Sequence, residues 1–181
     1  MVESCKIIGL GMFAAIAYGI AHDNVTARVC VEYFTIGHER IFGPTESPTL
    51  LALGWGFAAT WWVGLGLGIF LALTCRLGQK PKLSAKELVK PVAILLATMA
   101  VLSLLAGGLG YYAASRNWIW LVGYLAFHVP KAKQSAFLAD ACAHLAAYGT
   151  AFVGGMILAI WATVRRVRLA KARPTHQPHR V

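Results

Sequence analysis

Three features of this chain predict an all-α integral membrane protein, with four transmembrane helices in a bundle. Hydrophobic residues fill 58% of its 181 positions and charged residues only 13%, a balance too apolar for a soluble domain. The apolar residues gather into four long runs. The basic residues sit in short blocks at the ends of those runs. In a soluble chain a net charge of +10 would suggest nucleic acid, but these blocks are not interleaved with aromatics, so membrane lipids with anionic headgroups are the expected partner and nucleic acid is not. Neither an internal repeat nor a second domain is visible, and residues 1–181 read as one membrane domain.

The first span covers about 7–24. From Lys6 to His22 is only about 24 Å of helix, short for a hydrocarbon core of about 30 Å, so the helix should continue through His22 and Asp23 and leave both near the membrane boundary. It ends in His-Asp without a small-x-small cleavage pattern and is expected to be a retained span. Between Arg28 and Phe34, Val29, Val31 and Tyr33 alternate with Arg28, Cys30, Glu32 and Phe34. That alternation favours a short extracytoplasmic extended segment over a continued helix. Gly37 and Gly43-Pro44 then break the chain ahead of the second span.

Ser47-Pro48 marks the start of the second span, about 49–74, as an N-cap followed by proline at the first helical position. Gly64 and Gly68 within it have the spacing that lets helix backbones approach closely. Ser84-Ala85-Lys86-Glu87 matches a capping box ahead of the third span, about 91–114. Trp118 to Phe127 is too short to cross a bilayer and reads as an interfacial segment anchored by Trp118 and Trp120. The fourth span covers about 136–164. A basic tail, 165–181, is expected to lack fixed structure.

Lysine and arginine counts set the expected orientation. The loop between spans two and three carries Arg76, Lys80, Lys82, Lys86 and Lys90, and the tail carries six more, whereas the first loop has only Arg28 and Arg40. The positive-inside rule then puts both termini in the cytoplasm and the first loop outside.

On this topology several acids and imidazoles converge at the outer face. Counting from Arg165 to His144 gives about 31 Å of helix, which brings His144 to the depth that His22 and Asp23 reach from the other side. Asp140, His144 and Tyr148 lie on one helical stripe. Imidazole with carboxylate is the donor chemistry of zinc and non-haem iron, and ionisable groups at the edge of a span are costly enough to be functional candidates. His22, Asp23, His38, Asp140 and His144 are therefore the candidate ligands of a divalent metal, zinc or iron. Glu32 is the candidate catalytic base for a bound water, with metal-assisted hydrolysis at the membrane interface as the reaction. The bland reading treats the same residues as ordinary helix-end polar groups, and no HExxH-type motif speaks against it.

Two other classes of function compete. His22 and His144 would suit the axial positions of a b-type haem, although acids beside both favour a divalent cation over a porphyrin. A non-catalytic accessory or assembly subunit would instead dock on a membrane-protein partner through glycine-rich helix faces. Transport is weaker, because no span has a midplane charge or a paired break. Cys30 and Cys142 share the outer side and would pair only in an oxidising compartment.

The runs His22-Asp23-Asn24-Val25-Thr26-Ala27-Arg28, Glu32-Tyr33-Phe34-Thr35-Ile36-Gly37-His38 and Ser47-Pro48-Thr49-Leu50-Leu51-Ala52-Leu53-Gly54-Trp55-Gly56 resemble a group of small bacterial polytopic membrane proteins with no activity attached. The resemblance implies a small protein of the bacterial cytoplasmic (inner) membrane and says nothing of chemistry.

Overall fold

The computed structural model describes residues 1–172. Among the described residues there are seven α-helices: α1 (Val2–Val29), α2 (Val31–Thr35), α3 (Pro48–Ala58), α4 (Trp61–Arg76), α5 (Ala85–Ser115), α6 (Gly123–His128) and α7 (Gln134–Lys171), with a 3-10 turn at Lys131–Lys133 before the last. Four stretches are long and apolar enough to cross a membrane: Val2–Val29, Pro48–Arg76, Ala85–Ser115 and Lys131–Lys171. Apolar side chains cover their outer faces. Phe13, Leu104, Phe152 and Ile157 are each at least 60% exposed, as side chains facing lipid would be.

The helix starts follow from the capping chemistry. Ser47 accepts from the Leu50 amide ahead of Pro48, and Ser84 with Glu87 forms the expected capping box, the Ser84 amide donating to Glu87 at 2.9 Å. Those two side chains satisfy amides that the first turn of a helix leaves free.

The extended segment expected over 28–34 is absent. Among the described residues there is no strand, and only Cys30 takes extended angles (φ −149°, ψ 95°) between α1 and α2. Its amide still closes the last turn of α1 on Thr26, and the Tyr33 amide bonds the Cys30 carbonyl to begin α2. Cys30 and Phe34, both buried, are four apart, so burial follows a helical period and overrides the alternation. The fourth helix also differs from expectation, because it runs to Lys171 and takes in residues 165–171. Residues 173–181, the rest of the expected unstructured tail, lie outside the described residues.

The second span is broken in the middle. Around Ala59-Thr60 the Thr60 hydroxyl bonds the Gly56 carbonyl, a side chain competing in the helix ladder of the kind that bends helices. Helix α1 packs along both halves of this span, and α5 packs along α7. The first pair meshes backbone against backbone. A methyl group added at Gly68 would sit 2.8 Å from the Ile8 carbonyl oxygen, one at Gly11 2.8 Å from the Gly68 Cα, and one at Gly56 2.6 Å from the Ile20 backbone. Gly64 and Gly68 thus serve packing within the chain, in the close approach that small residues permit.

At the end of the molecule holding the N-terminus, Arg166 is buried among carbonyl groups. Its guanidinium donates to Pro81 at 2.8 Å, to Leu77 at 2.7 Å, to Lys80 at 3.2 Å and to Thr74. It therefore caps the C-terminus of α4 and holds the α4–α5 loop in place. Next to it Ile7, Leu71, Cys75, Leu83, Leu88 and Ala162 form an apolar cluster. The opposite end is closed by two smaller clusters, one of Cys30, Leu121, Val129 and Phe137 and another of Ala27, Phe34 and Leu51.

Candidate metal centre

Beneath those two clusters, the last turns of α1 meet the first turns of α7. His22, Asp23 and His144 come together there, with ligand-capable atoms all within 4.8 Å of one another. Asp23 and His144 are buried, and His22 is half-buried.

Each side chain has a local reason for its position. His144 Nδ1 lies 2.8 Å from the Asp140 carbonyl oxygen one turn earlier on α7, a group that only accepts, so this nitrogen carries the proton and donates. The bond fixes the ring and turns Nε2 to Asp23 Oδ1, 3.2 Å away. Holding one ring nitrogen on a backbone carbonyl is how proteins commonly orient an imidazole ligand. The 3.2 Å separation also matches the edge of about 3.3 Å between two ligand atoms on a tetrahedral zinc with bonds of about 2.0–2.1 Å. Without a cation, one shared proton serves the contact. His22 meets the His144 ring edge to face, with centroids 4.5 Å apart and planes at 76°. Its Nε2 is buried and has no hydrogen-bond partner.

Aromatic rings wall the group. Tyr33 of α2 stacks on His144 at 4.5 Å, and Tyr18 stacks on His22 at 5.6 Å while its hydroxyl meets Ser103 Oγ of α5 at 3.2 Å. Burial, then the neighbouring Tyr148, Asp140 and Asp23, raises the Tyr33 phenol above its ordinary value and keeps it un-ionised. Tyr18 was open to sequence reasoning, since it precedes His22 by one helical turn. Nothing local marks Tyr33 as the lid over His144.

The remaining expected residues take separate places. Asp140 is almost completely buried beside Asp23 and the Cys30 amide, and its Oδ2 has no partner. Its backbone carbonyl is the group that accepts from His144 Nδ1. His38 bonds the Tyr33 carbonyl through Nδ1 at 2.9 Å and packs on Trp55; it is not one of the three that converge. Glu32 accepts from the Cys30 thiol at 3.3 Å and faces Lys133 at 3.9 Å. Burial first, and then the Glu32 bond, push the Cys30 thiol up to about 12. Cys30 and Cys142 are free thiols with different neighbours, Cys142 lying against Gly110.

A narrow apolar cavity of about 120 Å³ leads away from the cluster. It begins at His22, Asp23 and His144 and passes between the two helix pairs to Leu71 and Leu158.

No family model matches the chain, and no curated protein or solved structure matches it either.

Proposed function

We propose that this is a membrane protein with a divalent-metal centre, in which His22, Asp23 and His144 hold a zinc or ferrous ion for metal-assisted hydrolysis at the membrane interface. One observation carries the reading: two imidazoles and a carboxylate are pre-oriented within 4.8 Å of one another at a site removed from water. Two histidines and one carboxylate form a donor set used by catalytic zinc and by non-haem iron, and three protein ligands leave a position open. A cation there would bring a bound water to a pKa of about 7. Glu32, the base the sequence suggests, is engaged with Cys30 and Lys133.

The topology proposed with this reading has both termini in the cytoplasm of a bacterium and the metal centre near the outer face, from the distribution of lysine and arginine. A haem between His22 and His144 has less support, because rings in edge-to-face contact at 4.5 Å leave no slot for a macrocycle. Docking of a partner through Gly64 and Gly68 also has less support, because α1 occupies that face.

The test is elemental analysis and an absorption spectrum of detergent-purified protein beside His22→Ala and His144→Ala variants. Near-stoichiometric zinc or iron, lost in both folded variants, is the expected result. Metal-free wild-type protein prepared without chelators sinks the proposal, and a Soret band would replace it with haem.

A further inference from the structure

We infer that the cavity below the metal centre is a slot for a single unbranched acyl chain whose carbonyl-oxygen head meets the cation. The inference rests on the metal reading for its head group and on the cavity for its chain. The cavity has one polar end. His22, Asp23 and His144 stand there, while its walls descend through Ala14, Gly11 and Leu71 on one side and Ala147, Ala151 and Leu158 on the other. From Asp23 to Gly11 is about 18 Å along α1, and from His144 to Leu158 about 21 Å along α7. About 120 Å³ spread over that length is narrow. A cavity of about 150 Å³ lined by apolar side chains admits one benzene, so about 120 Å³ has room for one short chain of methylenes and not for two side by side.

Small residues make the slot. Gly11, Gly64 and Gly68 bring α1 onto α4, and Ala147, Ala151 and Gly155 keep the facing wall of α7 low. The looser join between the helix pairs is where the space lies. A fully apolar ligand would leave the open position of a three-ligand cation unused. A ligand with a cationic head would be repelled by the metal. An oxygen donor on an acyl chain satisfies both ends, whether the head is a free carboxylate or an ester, the bond that hydrolysis would cleave.

The test uses full-length protein in a non-ionic detergent, with metal content measured in every sample. Straight-chain carboxylates from four to eight carbons, the matching methyl esters and octylammonium are titrated against wild type and Ala151→Leu, which places a larger side chain midway down the slot. For wild type, carboxylate affinity should rise about fourfold per added methylene. Ala151→Leu should keep its metal and lose that rise beyond the shortest chains. Tighter binding by the carboxylates identifies a free acid as ligand, and tighter binding by the methyl esters an acyl ester; either supports the slot. Chain-length dependence that survives in Ala151→Leu, or octylammonium binding as well as octanoate, overturns the inference while leaving the metal reading intact. Metal-free wild type overturns the metal reading and the head-group contact with it; chain binding sensitive to Ala151→Leu would then still uphold the slot for the chain, and its absence would overturn that too. Should Ala151→Leu misfold, the wild-type chain-length series decides: a flat series overturns the slot.

Discussion

Asp23 and His144 stand 121 positions apart in the chain and meet at 3.2 Å between Oδ1 and Nε2, each more than nine-tenths buried. Both side chains are shut away from bulk solvent, so each depends on the other, or on a cation both can bind. Replacing His144 by Ala leaves the Asp23 carboxyl buried without its imidazole, and the expected loss is about 3–5 kcal/mol of stability. Asp23→Asn keeps a polar partner and should cost less. Thermal unfolding in one detergent, run as a double-mutant cycle, measures the difference; additive effects would mean that the two residues do not interact.

Cation binding should itself stabilise the fold. At a free zinc concentration about 100 times Kd the gain is about 2.7 kcal/mol, seen as a rise in Tm that chelator reverses. The same addition to His22→Ala should produce a much smaller shift. An equal shift in both proteins would mean that zinc binds elsewhere.

Arg166 tests the other end of the molecule. Four carbonyl groups, on Thr74, Leu77, Lys80 and Pro81, receive its guanidinium, and Lys lacks the planar fork needed to reach them together. Arg166→Lys should cost about 2 kcal/mol and Arg166→Ala about 3 kcal/mol or more. The neighbouring Arg168→Ala should be close to neutral by the same unfolding measurement.

Glycines separate into those that mesh helices and those that do not. Gly68→Ala drives a methyl into the Ile8 backbone, and thermal unfolding should register a loss of more than 1 kcal/mol. Gly66 has nothing within 4 Å of the added methyl, so Gly66→Ala should be tolerated or slightly stabilising through helix propensity.

Cys30 should resist thiol reagents. With its thiol pushed up to about 12, the thiolate is a minute fraction at pH 8, and the side chain is shut away from solvent. Cys5, which is exposed, should label rapidly with a maleimide under the same conditions. Raising the pH towards 12 increases the Cys30 thiolate, so labelling should accelerate with pH; Glu32→Gln, which removes a charge opposing ionisation, should move that acceleration to lower pH. Rapid labelling of native Cys30 at pH 8 would contradict the buried position.

Much of the fold was legible residue by residue. Ser47-Pro48 and Ser84 with Glu87 announce helix starts through local hydrogen bonding, which needs no knowledge of the fold. Counting turns from Arg165 brought His144 level with His22 because a helix has a fixed rise. Glu32 and His38 were different. Their positions depend on how α2 folds back over the end of the molecule, and a five-residue helix leaves too little pattern for its direction to be read. Cys30 and Phe34 carried the correct helical spacing, but the stronger alternation around them masked it. Arg166 looks like its neighbours by type; its burial shows only in register, with Ala159 and Ala162 seven and four residues before it on the same face.

The order in which the chain is made adds a consequence to the spacing of Asp23 and His144. Helix α1 and its glycine-matched partner emerge first and are able to settle against each other while the remainder is still being synthesised. His144 arrives only with the last helix. Cation capture would therefore act as a completion mark, acquired by finished molecules and withheld from chains that stall before α7 is in place.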